Sequence, residues 1–263
     1  MTDTPSRHDI TRLNDRAIIR LTGEGDGGGE NVVEFLQGLV TSDVTAALPV
    51  WSALLSPQGK VLFDFFVWPS GDDLLIECER DHADELVRKL SLYRLRRKIA
   101  IAVDPAVEVH WNSHRGDGGA DDPRLAALGQ RWLLPTEQSD GPGADDAYRA
   151  HRLSLGVTEG RGELGFDQTL WLECNAAELH GVNFRKGCYI GQENTARMNW
   201  RQKVNRRLLV LPIAQSDEAR RRVAYDDLGV AVDHVRVADT DPALWPGWLV
   251  LDNAEGTETP AKS

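Results

Sequence analysis

Lys186-Gly187-Cys188-Tyr189-Ile190-Gly191-Gln192-Glu193, with Arg197 four residues beyond, is the most informative stretch of this 263-residue chain. Gly187 and Gly191 bracket Cys188 and Tyr189 and permit a tight turn with close backbone approach by a ligand. Residues Gln192 to Met198 read as helical, so Cys188 stands just before a helix N-terminus, with Arg185 and Lys186 beside it. Both features favour a thiolate. On the residues alone, the alternative is a small cysteine packed into a turn.

The flanking segments predict a mixed architecture. Arg16 to Leu21 alternates as a strand, and a glycine-rich run from Thr22 to Glu30 follows as a loop. Glu30-Asn31 stands where a phosphate-binding loop needs Gly-Lys-Ser/Thr, so the run is no P-loop. Val32, Phe35, Leu36 and Leu39 mark an amphipathic helix capped by Asn31. Trp51–Ser56 and Val61–Trp68 flank Pro57-Gln58-Gly59-Lys60, a hairpin pattern that puts Asp64 on the face opposite Phe63 and Phe65. Leu74–Glu77 is a third strand, Asp81 caps a helix running to about Leu95, and Ile99, Ile101 and Val103 alternate as another strand. Asp145–Leu155 is a helix closed by Gly156. Strands at Leu208–Ile213, Val230–Val237 and Trp248–Leu251 close the chain. Hairpins and helices without a repeating βα rhythm predict an α+β fold.

Composition narrows the function classes. Thirty basic against 41 acidic residues give a net charge of −11, which argues against general nucleic-acid binding. Basic residues concentrate in two windows, Arg88–Lys98 and Phe184–Arg207, which form an anion site if they meet and solvated helix faces if they do not. No run of about 18 apolar residues exists to span a membrane. The polar start, Met1 to Asp9, does not read as a signal peptide, and three scattered cysteines do not read as a disulfide framework; both point to the cytoplasm. No Cys-x-x-Cys pair offers a zinc site, and His110 and His114 lack helical metal geometry, so no resident metal is expected. Three cysteines cannot fill the usual four-thiolate ligation of an iron–sulfur cluster either.

The octapeptide resembles the signature of the YgfZ-type folate-binding proteins. These are relatives of the glycine cleavage aminomethyltransferase (T-protein) and include factors that mature iron–sulfur proteins. Other segments resemble the family in the same order: Phe35-Leu36-Gln37-Gly38 with Thr41 and Asp43, Leu55-Ser56-Pro57-Gln58-Gly59-Lys60 with Asp64, and Tyr93-Arg94-Leu95-Arg96 with Lys98. Arg152 with Gly156, then Glu173 and Asn175, continue the likeness, which covers roughly residues 10 to 210. One departure is that Phe63-Asp64 keeps one of the two adjacent aspartates usual in the T-protein hairpin.

The resemblance implies a ring-like arrangement of subdomains around a central folate cleft, with a small C-terminal β module. On this reading, an N-terminal α+β part covers 10–115 and a Gly/Pro/Asp-rich linker or insertion covers 116–147. A second α+β part covers 148–207, a β-barrel-like module 208–252 and a disordered tail 253–263. Tetrahydrofolate, polyglutamylated or not, is the implied cofactor. Cys188, Lys186 and Asp64 are expected to carry the chemistry, and Glu173, Asn175, Arg152, Tyr189, Gln192, Glu193 and Arg197 to bind the cofactor. Glu173 is the candidate reader of the pterin amide and amino edge. The expected function is a folate-binding accessory factor in iron–sulfur cluster assembly or repair rather than a conventional turnover enzyme. Its partners would be folate and iron–sulfur client or assembly proteins, with no nucleic acid and no membrane. The alternative is a folate-dependent aminomethyltransferase or demethylase acting on a methylamine-type substrate, with Asp64 at the departing amine.

Overall fold

The structure, a computed structural model, describes residues 11–25, 29–136, 143–201 and 204–250. The expected disordered tail over 253–263 lies outside the described residues. In chain order the first half holds β1 (Thr11–Arg12), β2 (Arg16–Gly23), α1 (Val32–Gln37), β3 (Val50–Leu55), β4 (Val61–Ser70), β5 (Asp73–Glu79), α2 (Ala83–Arg94), β6 (Ile99–Val103) and β7 (Val107–Asn112). The second half holds β8 (Ala120–Asp121), β9 (Gln130–Pro135), α3 (Asp145–Ser154), α4 (Gly160–Leu164), α5 (Gln192–Arg201), β10 (Arg206–Pro212), β11 (Arg221–Tyr225) and β12 (Val230–Arg236).

Three antiparallel sheets result. The largest has the order β3-β4-β5-β2-β6, and its central strands are buried on both faces. Phe63, Phe65 and Val67 of β4 pack with Val32, Phe35 and Leu36 of α1 and with Leu86 and Leu90 of α2. Phe66 and Trp68 point the other way, toward Trp111, Tyr148 and Trp171. The period-two alternation of β4 therefore sends Asp64 to the centre of the molecule. Asn31 caps α1 as expected, its side chain accepting from the Glu34 amide at 3.0 Å. Asp81 does not cap α2; it lies in a 3-10 turn, Arg80–His82, that leads into the helix.

The second sheet, β1-β7-β9-β8, draws two of its strands from the stretch expected as a linker or insertion. Residues 116–147 supply β8 and β9, and Asp122, Arg124 and Arg131 from this stretch are buried. The third sheet, β10-β12-β11, is an open three-stranded sheet among the described residues rather than a barrel. Trp248 and Leu249 pack against it without forming the expected strand. Several side-chain hydrogen bonds tie it to the body. Arg207 donates to Asn175 and Glu178, the Tyr225 hydroxyl donates to Glu163 at 2.8 Å, and the Trp248 indole donates to the Leu155 carbonyl at 2.7 Å. No helix among the described residues is long and apolar enough to cross a membrane.

Candidate functional site

Elements of the first and third sheets, with α3 and α4, close on a central cleft of about 220 Å³. Arg16 comes from β2, Glu79 from the end of β5, Tyr148 and Arg152 from α3, Glu163 from α4 and Tyr225 from β11. Beneath the cleft lies a lattice of buried charge. Arg152 grips Glu163 with both terminal nitrogens at 2.7 Å. Glu159 accepts from Arg124 at 2.6 Å, from the Tyr148 hydroxyl at 2.6 Å and from Arg16 at 3.3 Å. Arg131 donates to Glu77 at 2.5 Å and to the Tyr148 hydroxyl, and Asp122 clamps Arg124 from its other side at 2.7 Å. The Arg124 and Arg131 guanidinium groups also stack over the Phe66 ring. Isolated, each such charge would cost several kcal/mol to bury; paired this fully, the lattice holds. Burial works against the charged form of Glu159, yet the surrounding arginines hold its carboxyl well below the ordinary range.

Asp64 sits at the edge of this lattice, accepting from the Trp51 indole and the Gly160 amide, both at 3.2 Å. Burial raises its carboxyl to about 7, and repulsion from Glu79 and Glu159 adds to the effect. Sequence reading missed Arg16, Glu77, Asp122, Arg124, Arg131 and Glu159. Glu77 carried a signal: a charge inside the apolar run Leu74–Cys78 demands a buried partner.

The signature loop lies elsewhere, against the β3–β4 hairpin. Lys186 turns inward, away from any role beside the thiol: its ammonium donates to the Val40 carbonyl at 2.5 Å and the Ser42 carbonyl at 2.9 Å. Burial lowers this ammonium to about 8. Tyr189 is buried below the loop. Gly191, at φ +80°, packs so closely on Ser56 that a Cβ would stand 2.6 Å from the Ser56 carbonyl oxygen, so only glycine fits. Gln192 opens α5, and Glu193 and Arg197 pair with each other on its exposed face at 3.1 Å. Between these anchors Cys188 is exposed, whereas Cys78 and Cys174 are buried. Burial raises the Cys78 thiol to about 12 and the Cys174 thiol well above its ordinary range.

Glu173 and Asn175 occupy a third place, the junction with the C-terminal sheet. Glu173 lies 3.1 Å from the His234 ring, and buried Asn175 donates to the Leu208 carbonyl at 2.8 Å. The expected site residues thus fall into three groups: Asp64 and Arg152 at the central cleft, Glu173 and Asn175 at the junction, and the signature residues on their own loop. The two basic windows ride on different elements. One rides on α2, packed on β6 and β2, and the other runs from the loop against the β3–β4 hairpin to Arg206 and Arg207 on β10 of the third sheet.

The cleft suits a donor-rich ring better than an anion. Its wall carries the Glu79 and Glu163 carboxylates, and Arg152 is already occupied by Glu163. Its volume is below the roughly 300–1,000 Å³ of complete small-molecule pockets. Among the described residues no group of three or more His, Cys, Asp or Glu is arranged to hold a metal ion.

No family model matches the chain. It is 30% identical over 245 residues to the "iron–sulfur cluster assembly factor IBA57 homolog, mitochondrial" of Pyricularia oryzae, covering 84% of this chain and 61% of that protein. It is 31% identical over 238 residues to the human "iron–sulfur cluster assembly factor IBA57, mitochondrial", covering 75% and 64%. The chain thus spans about three fifths of the length of these curated relatives. Among solved structures, the aminomethyltransferase T of the glycine cleavage system from Bartonella henselae matches with a TM-score of 0.64 at 13% identity, over 87% of this chain and 78% of that one. That likeness establishes the fold. The relatives are named as mitochondrial proteins, which corrects the expectation of a cytoplasmic location: their names point to the mitochondrion.

Proposed function

The homologues of this chain are the IBA57 iron–sulfur cluster assembly factors of the YgfZ family, and on that premise we propose that it assists iron–sulfur cluster assembly through Cys188 while binding reduced folate in the central cleft. The observation that carries this reading is the mounting of the thiol. Cys188 is the one exposed cysteine of the three, on a loop clamped below by Lys186 and Tyr189 and seated through Gly191. A thiolate is a soft ligand suited to iron, and one thiolate leaves the remaining ligands of a cluster to a partner protein. The cluster is cargo, shared across an interface and passed on. Glu79, on the cleft wall, would accept from the amino and amide edge of a pterin, a role the sequence reading gave to Glu173. Folate supplies one-carbon chemistry when bound; the residues described here hold and orient it.

The aminomethyltransferase alternative asks Asp64 to touch a substrate amine. That carboxyl is buried and engaged by Trp51 and Gly160, which favours the accessory reading. The test is cluster transfer. The chain is mixed with a cluster-loaded carrier protein, and the visible absorption and circular dichroism of the mixture are followed. A shared cluster species should form with the native chain and be lost in Cys188→Ser. An unchanged spectrum in that variant refutes the role of the thiol. Iodoacetamide labelling of the native chain should modify Cys188 and spare Cys78 and Cys174.

A further inference from the structure

At one end of the C-terminal sheet, three strands bring arginines together without the pairing seen in the core. Arg206 of β10 lies directly opposite Arg236 of β12 in the strand register. Like charges facing each other across two strands destabilise a sheet. Both side chains are exposed, and among the described residues neither has an ion pair or hydrogen bond. Arg222 of β11 reaches the same place. Its terminal nitrogens are held by Gln168 at 2.5 Å and Thr169 at 3.0 Å, while its Nε is buried with no acceptor among the described residues. These residues and His234 line a concave pocket of about 460 Å³. Arg220 and Arg221, also on its wall, are directed to Asp217 and Asp239 and to Ser216.

We infer that this pocket binds a small, multiply charged oxyanion, a phosphate ester or a polycarboxylate, gripped by Arg206, Arg236 and Arg222. Planar guanidinium forks match both kinds of oxyanion, and the charge-assisted bonds they form are the strong ones. The pocket volume lies within the range of small-molecule sites. A chain of net charge −11 repels a long polyanion, so the ligand is small rather than a nucleic acid. A bound anion also offsets the Arg206–Arg236 repulsion. The inference is independent of the cluster and folate roles, because the pocket shares no residue with Cys188 or the central cleft.

The test uses the full chain and two probes, inorganic pyrophosphate and citrate, in titration calorimetry at low and moderate salt. At least one probe should bind, more weakly as salt rises, and which one binds more tightly assigns the ligand to phosphate or carboxylate. The double variant Arg206→Ala with Arg236→Ala should lose about tenfold or more in affinity. Without ligand it should melt no lower than the native chain, because it removes two like charges. Cys188→Ser should bind as the native chain does. Failure of the native chain to bind either probe overturns the proposal, as does equal affinity in the double variant. A lower ligand-free melting temperature in that variant also overturns it, because the arginines would then be structural.

Discussion

The central lattice and the signature loop use charged groups in opposite ways. In the lattice Arg16, Arg124, Arg131 and Arg152 are buried and every one meets a carboxylate. In the loop the buried cation Lys186 donates to backbone carbonyls and lies over the Tyr189 ring, and the Glu193–Arg197 pair lies in solvent. The lattice spends its charge on shape, locking β2, β5, β9, α3 and α4 around the cleft. The loop leaves a thiol in the open on a fixed platform. Buried, paired charge therefore marks the lattice, and an exposed thiol marks the loop.

The comparison breaks most readily at Glu159. Glu159→Gln removes one of the two carboxylates that Arg124 and Arg16 each meet in a buried site and should cost roughly 3–5 kcal/mol in urea unfolding. Cys188 labelling in the folded fraction should stay unchanged; a change there would show the two regions to be coupled. The next largest effect concerns pH. The folded Asp64 carboxyl keeps its proton to about pH 7, whereas the unfolded one releases it near 3.8. Its contribution to stability is full below the lower value and is lost as pH rises through the upper one. The stability difference between Asp64→Asn and the native chain should therefore drift in favour of the variant across that window, by up to roughly 4 kcal/mol. A flat difference would mean the carboxyl ionises in the fold as it does in water.

Lys186→Met should cost about 2–3 kcal/mol, since it strands the Val40 and Ser42 carbonyls, and it should alter Cys188 labelling because the platform loosens. At the small end, Arg197→Ala breaks an exposed pair one helical turn apart and should change stability by about 0.5 kcal/mol or less. A larger loss would give that pair a structural role like those of the lattice.

Local signals in the sequence were read well where one residue's neighbours decide its conformation. The Asn31 cap, the turn at Pro57–Lys60 and the alternation through β4 all act within a few residues, and the structure contains them. What was hidden depended on partners far along the chain. Asp122, Arg124 and Arg131 sit among glycines, prolines and aspartates, a composition that reads as loop. Their burial is explained only by Glu77 and Glu159, 54 and 35 residues away from their arginine partners. β11 was missed for a similar reason: Arg221-Arg222-Val223-Ala224-Tyr225 shows little apolar alternation, and its strand is made by pairing with β12. The signature octapeptide marked the loop correctly, but it could not reveal that Lys186 faces inward, because the Val40 and Ser42 carbonyls that hold it are about 145 residues upstream.

The Trp248 indole that reaches the Leu155 carbonyl has a thermodynamic consequence. It joins the far side of the C-terminal sheet to the end of α3, while Tyr225 joins the near side to α4. The sheet cannot detach without opening the wall that Glu163 and Arg152 build. Melting should accordingly run as one cooperative transition, with calorimetric and van't Hoff enthalpies in agreement, and a ligand seated in the cleft should raise the unfolding temperature of the C-terminal sheet along with the rest.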